Sequence, residues 1–163
     1  MEKHGWGYRI KKDQLFLKAK VDNLVIRNNM INNSCIAICN YLKSNPILDL
    51  ENEIVCNLNC TENIFKISEQ YYKLIEDCRN VEHSLFSMED YLKDMSCNTN
   101  NQERIVNANK LLHEVKPVRE SMDKLMLDIS KNENYKKLAE IFEKSVAIYS
   151  AETEEYLYEI EEE

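Results

Sequence analysis

Four cysteines form two pairs of identical spacing within the first sixty residues. Three residues separate Cys35 from Cys39 and Cys56 from Cys60, and residues 40–55 lie between the pairs. On a helix, residues four apart lie on the same face. Three kinds of chemistry are open to this arrangement: disulfides between two helices, a four-cysteine zinc site, or reduced thiols that fill a core as small apolar groups.

The two pairs oppose each other if they lie on antiparallel helices. The cysteine farther from the turn on one helix then faces the farther one on the other, so Cys35 meets Cys60 and Cys39 meets Cys56. A bond within one pair is less favourable because both Cβ atoms point in the same direction. Zinc tolerates the spacing, but its four-cysteine sites usually lie on turns. These residues alone leave all three options open.

Apolar residues recur in alternating steps of four and three, which predicts two long helices around the cysteines. The first pattern ends before Pro46, which disfavours helical geometry at Asn45. Its positions are Leu17, Val21, Leu24, Asn28, Ile31, Cys35, Ile38 and Leu42. The second runs through Cys60, Ile64, Ile67, Tyr71, Leu74, Cys78, Val81, Leu85, Met88, Leu92 and Met95. We expect Cys78 to be a core thiol.

Two further helices are predicted after the polar stretch 96–102. One spans about residues 102–131, with a possible bend at Pro117. Its inward positions are Ile105, Ala108, Leu112, Val115, Met122, Leu125 and Ile129. The other spans about residues 135–160 after a turn at 132–134. It would bury Leu138, Ile141, Phe142, Val146, Ile148 and Tyr149.

The sequence therefore predicts an all-α fold. Only two glycines and two prolines occur, and both glycines precede residue 8, so little interrupts helical structure. We expect an N-terminal segment over residues 1–14 and an antiparallel hairpin of long helices over 15–95, stapled if the disulfides form. Residues 96–163 would be a helical extension of two additional helices. The last two helices would form a second hairpin or extend the first.

The distribution of charge argues against nucleic-acid binding. Residues 1–60 carry eight Lys/Arg and six Asp/Glu, whereas the remainder carries thirteen and twenty-three. The acidic part would repel a phosphate backbone. No apolar run is long enough for a membrane span, and the N-terminus resembles neither a secretory signal nor a transit peptide.

Catalytic constellations are not evident in the sequence. His4, His83 and His113 are scattered, and His83 falls between the apolar positions of a helix, so we expect it to be exposed. There is no glycine-rich phosphate loop or pair of metal-ligand histidines. We expect a non-enzymatic protein without cofactor or metal.

The twin C-x-x-x-C motif with its sixteen-residue spacer resembles that of the small Tim proteins of the mitochondrial intermembrane space. The flank LDLENEIVCNLNCTENIFKISEQYYKL (48–74) is also similar. The resemblance covers about residues 15–95. It implies the pairings Cys35 with Cys60 and Cys39 with Cys56, formed by oxidation after import.

The resemblance also implies a function. Small Tim protomers assemble into six-membered rings whose helices chaperone hydrophobic inner-membrane protein precursors. Contacts with clients or neighbouring protomers would be made by Phe16, Leu17, Val21, Val25, Phe65, Tyr71, Tyr72 and Leu74.

Two alternatives remain. The C-terminal extension favours a permanent accessory subunit of a large inner-membrane complex, such as a respiratory-chain complex, because added helices supply specific docking surface. The heptads alone would suit a cytosolic coiled-coil scaffold subunit.

Overall fold

The structure, a computed structural model, describes residues 5–44 and 58–145. Three long helices are α1 (Trp6–Ser44), α2 (Leu58–Asn98) and α3 (Gln102–Ser130). A fourth, α4, occupies residues 133–145. The described residues contain no strand, which confirms the predicted all-α fold.

The predicted apolar patterns match the buried faces of these helices. Eight positions of the second pattern are buried on α2, and the first pattern is buried on α1 at Leu17, Val21, Leu24, Ile31 and Cys35. On α3, Leu111 is buried where the pattern names its neighbour Leu112. Val146, Ile148 and Tyr149 lie outside the described residues. The alternation of four and three steps therefore identified the faces that are removed from water.

Asparagine side chains define the starts of the last two helices. The side chain of Asn101 accepts a hydrogen bond from the backbone N–H of Arg104 at 3.3 Å, which is an N-cap of α3. Asn132 Oδ1 accepts from the backbone N–H groups of Asn134 (2.8 Å) and Tyr135 (3.1 Å), at the start of α4. These caps satisfy helix N–H groups that have no partner within the helix.

One local feature differs from the expectation, whereas α3 keeps its predicted span. α1 begins at Trp6, well before the first predicted apolar position, and the added turns bury Gln14. α3 continues through Pro117 to Ser130. Pro117 is exposed, so water can bond the backbone carbonyl that its ring leaves unpaired.

The chain divides into two compact units, each of which combines parts of the hairpin with one later helix. Unit 1 is Met1–Asn28 with Leu74–Lys131, and unit 2 is Asn29–Lys73 with Asn132–Glu163. The long helices α1 and α2 each contribute to both units, so the division does not follow the chain order.

Unit 1 is a three-helix arrangement. α1 and α2 are antiparallel in it, since Trp6 Nε1 donates to the Tyr91 hydroxyl at 2.6 Å and Arg27 pairs with Asp77 at 2.7 Å. The short connection 99–101 turns α3 back along α2. α3 contacts α1 through the Lys11–Glu114 ion pair at 2.8 Å. The core between them holds apolar residues of all three helices.

Unit 2 repeats the arrangement with α4 as the third helix. Asn32 Oδ1 of α1 accepts hydrogen bonds from Asn132 Nδ2 (2.9 Å) and Asn134 Nδ2 (3.2 Å) at the start of α4. Ring contacts join Tyr71 to Tyr135 and Phe65 to Phe142, so α2 and α4 run in opposite directions.

We expect the Leu85→Ala variant to lose about 2–5 kcal/mol of unfolding free energy, because the fully buried side chain leaves a cavity. Phe86→Ala is the matched control, since Phe86 is 54% exposed and its loss should cost less than about 1 kcal/mol. Urea denaturation followed by circular dichroism measures both. Equal losses would contradict the assignment of the inward face of α2.

Candidate functional site

The first cysteine pair lies near the end of α1, in unit 2. Cys35 is fully buried and Cys39 is partly exposed, and both are thiols in the structure. Cys56 lies outside the described residues, and so does the side chain of Cys60 in the first turn of α2. Among the described residues, Cys35 and Cys39 form no disulfide, and their pairing with Cys60 and Cys56 stays a prediction.

Burial makes Cys35 a poor nucleophile. Removal from water and, to a lesser extent, the neighbouring Cys39 together raise the pKa of its thiol from 9.0 to about 12. Thiol–disulfide exchange requires the thiolate. A buried, protonated Cys35 is therefore a weak nucleophile for thiol–disulfide exchange in the folded unit.

Cys78 occupies the core of unit 1, as predicted. It is fully buried and forms no disulfide among the described residues. Desolvation raises the pKa of its thiol to about 11, against the lowering effect of Arg27. Cys97 is an exposed thiol at the end of α2. Cys78 therefore acts as an apolar filler, whereas Cys97 is accessible to reagents.

Unit 1 divides the predicted client-binding residues of α1 and α2 between core and surface. Leu17, Val21 and Leu74 are only 7%, 1% and 0% exposed. Phe16 and Val25 are exposed at 62% and 37%. The first three can contact another protein only if unit 1 opens.

The predicted aromatic residues of unit 2 pack against α4. The ring centroids of Tyr71 and Tyr135 are 4.7 Å apart, and those of Phe65 and Phe142 are 5.4 Å apart in an edge-to-face arrangement. Tyr72 also contacts Phe142, at 6.3 Å, while much of its side chain is exposed. Edge-to-face and tilted pairs of this kind stabilise packing beyond their buried area. These rings fasten α4 to α2 within the unit.

A cleft of about 330 Å³ opens beside Cys39 in unit 2. The end of α1 and the middle of α4 line it. Its walls include Cys39, Leu42, Lys43, Lys137, Ile141 and Lys144. Apolar side chains and three lysines line it together with Glu140, and Cys39 is the cysteine of the pair that a soluble reagent can reach.

Within 5–44 and 58–145, no group of three or more His, Cys, Asp or Glu side chains is placed to hold a metal ion. His83 is exposed as expected, and His113 is exposed too. None of the described helices is long and apolar enough to cross a bilayer.

Sequence reasoning missed the buried polar contacts that fix the helix register. Gln14 is buried in unit 1, and its Nε2 donates to the backbone carbonyl of Leu111 at 2.8 Å. Asn32 makes the two amide contacts that orient the start of α4. A polar residue on an otherwise apolar face is the only signal that the sequence offers for such contacts.

Comparison of the chain with protein families, with curated proteins and with solved structures finds no significant match.

Alkaline pH should destabilise the protein through its buried thiols. Unfolded cysteines ionise near pH 9.0, whereas Cys35 and Cys78 resist ionisation until about pH 12 and 11. Their contribution to stability is complete below pH 9.0 and is lost as the pH rises toward the folded values. Denaturation of the fully reduced protein between about pH 8 and about pH 10.5 should therefore show a steeper loss for the parent than for a Cys35→Ala/Cys78→Ala variant. Parallel pH profiles would show that neither thiol is protected from ionisation by burial.

Proposed function

We propose that the protein is a non-enzymatic helical subunit that is held permanently in a larger assembly. One observation carries this proposal. In each unit, a third helix of the same chain packs on α1 and α2: α3 in unit 1 and α4 in unit 2. Much of the apolar surface that a small-Tim-like chaperone would offer to clients is used internally.

The burial of Leu17, Val21 and Leu74 is the first step of the argument. α3 supplies Val115, Met122 and Leu125 to the same core, and all three are buried. A chaperone that exchanges clients needs adaptable exposed apolar surface, whereas a packed three-helix unit offers a fixed one. Fixed surfaces suit long-lived contacts with particular neighbours.

Ion pairs between helices support the same conclusion. Arg27 pairs with Asp77 at 2.7 Å and Arg119 with Glu89 at 3.3 Å, in both cases between helices of unit 1 and with partly buried side chains. Partly buried pairs of this kind specify which faces meet. They make unit 1 a preformed module that need not reorganise when it binds.

The twin cysteine motif supports a location in the mitochondrial intermembrane space, by its resemblance to the small Tim proteins. We include in the proposal the Cys35–Cys60 and Cys39–Cys56 bridges, which an oxidising compartment would form. The assembly would then be one of the inner membrane, with this chain as an accessory subunit.

A ring-forming chaperone of hydrophobic precursors is the second candidate. Three of the predicted client-binding residues, Phe16, Val25 and Tyr72, remain exposed. Their presence on the surface favours this candidate, although Phe16 and Val25 lie on α1 in unit 1 and Tyr72 lies on α2 in unit 2. The cytosolic coiled-coil scaffold is favoured only by the long apolar patterns of α1 and α2.

Isolation of the tagged full-length protein in mild detergent, after blocking free thiols in intact cells, tests the proposal. We expect all of the chain to migrate with one large membrane-associated assembly, since a permanent subunit has no free pool. The same blocking reagent is applied again after denaturation, so that buried free thiols also react. Mass analysis should then find only Cys78 and Cys97 blocked, because the proposal pairs the four motif cysteines in disulfides.

Other outcomes separate the alternatives. A soluble particle of about six small subunits would favour the chaperone. Six blocked thiols would contradict the oxidising location, since a reducing compartment keeps cysteines free. A Cys97→Ser variant serves as the control for labelling, because Cys97 lies outside the motif and is exposed.

A further inference from the structure

The exposed apolar residues are concentrated on one helix. Of the thirteen large apolar side chains that are exposed among the described residues, eight lie on α1, three on α2 and two on α3. A helix that packs one face in a bundle usually presents charged and polar residues on the other. α1 departs from that rule, which makes its exposed apolar residues a candidate contact surface.

Within unit 1, the exposed Asp22 interrupts a line of three apolar residues on α1, which we call the outer stripe: Leu15, Ala19 and Ile26. They are spaced by four and seven residues, so they share one side of α1. Leu15 and Ile26 are 57% and 58% exposed, and Ala19 is exposed between them. A small residue between two large ones leaves room for a second helix to approach closely.

The surroundings of the outer stripe are basic. Residues 6–28 contain six Lys/Arg and two Asp. Lys11 and Arg27 are paired with acids of α3 and α2. Lys12 and Lys18 are exposed on the two sides of the stripe. The stripe of another α1 would be repelled by these charges, whereas an acidic amphipathic helix would be attracted.

The chain itself contains such a segment. Residues 146–163, outside the described residues, carry seven acids and no Lys or Arg. Tyr149, Tyr156 and Ile160 are spaced by seven and four residues. Read in the opposite direction, this is the spacing of the outer stripe. Its pattern therefore predicts an acidic helix with one apolar side.

We propose that residues 146–163 of a second copy dock antiparallel on the outer stripe. In a two-fold symmetric dimer this contact forms twice, because each copy has one stripe and one acidic segment. This inference rests on the proposed function and deepens it, because it names a second copy as one neighbour in the assembly.

Sedimentation of the purified full-length protein over a range of concentrations tests the inference. We expect a reversible dimer whose dissociation constant rises with ionic strength, because the flanking charges are exposed to screening ions. An excess of synthetic peptide 146–163 should convert the dimer into monomer, because the peptide competes for the stripe.

A matched pair of variants locates the contact. Leu15→Glu/Ile26→Glu should weaken dimerisation by at least about tenfold, from lost apolar burial. Val106→Glu/Leu127→Glu is the control, since Val106 and Leu127 are similarly exposed on α3 at 63% and 51%. It should leave dimerisation unchanged. Circular dichroism melts establish that both variants are folded.

Charge exchange tests the identity of the partner segment. Lys12→Glu/Lys18→Glu should weaken the dimer, and the addition of Glu155→Lys/Glu159→Lys should restore it. A restoring effect identifies residues 146–163 as the segment that faces these lysines. Failure of the peptide to compete together with failure of the exchange to restore would overturn the inference.

Two further outcomes overturn the inference without touching the proposed function. One is a monomer at every concentration. The other is stripe-dependent flotation with vesicles of anionic phospholipid, which would assign the face to a lipid surface. Conversely, a dimer that forms through the stripe but is never found in a larger assembly would contradict the proposed function and support the inference.

Discussion

Burial of the apolar faces of α1 and α2 against a third helix is the constraint on which the rest of the structure depends. Two helices alone leave one side of each apolar pattern in contact with water, and an isolated hairpin is only marginally stable. Helix α3 covers that side in unit 1, and α4 covers it in unit 2. The buried thiols, the ion pairs and the closure of the predicted client-binding face all follow from this packing.

The sequence was sufficient for the helices but not for their arrangement. The steps of four and three placed Leu74, Cys78 and Leu85 on the buried face of α2 because burial depends on helical period alone. The division into two units, each with part of the hairpin, was not predicted. It depends on contacts such as Gln14 with Leu111 and Asn32 with Asn132, which join residues about one hundred positions apart.

The candidate site shows a similar division. The spacing of Cys35 and Cys39 indicated that they share a helix, and both lie on α1. It could not reveal that Cys35 is sealed while Cys39 opens on a basic cleft, because neighbouring helices decide exposure. Likewise, the apolar character of Phe16 and Leu17 did not distinguish a surface residue from a core residue, since adjacent positions on a helix face different directions.

Native-state hydrogen exchange of α3 tests the central claim most directly. If α3 is an integral part of unit 1, amides near Met122 and Leu125 should exchange only through the same cooperative opening that exposes amides near Leu85 of α2, with equal free energies of opening. Exchange of α3 at a much lower free energy, while α2 stays protected, would show that the hairpin stands without its third helix and would contradict the account.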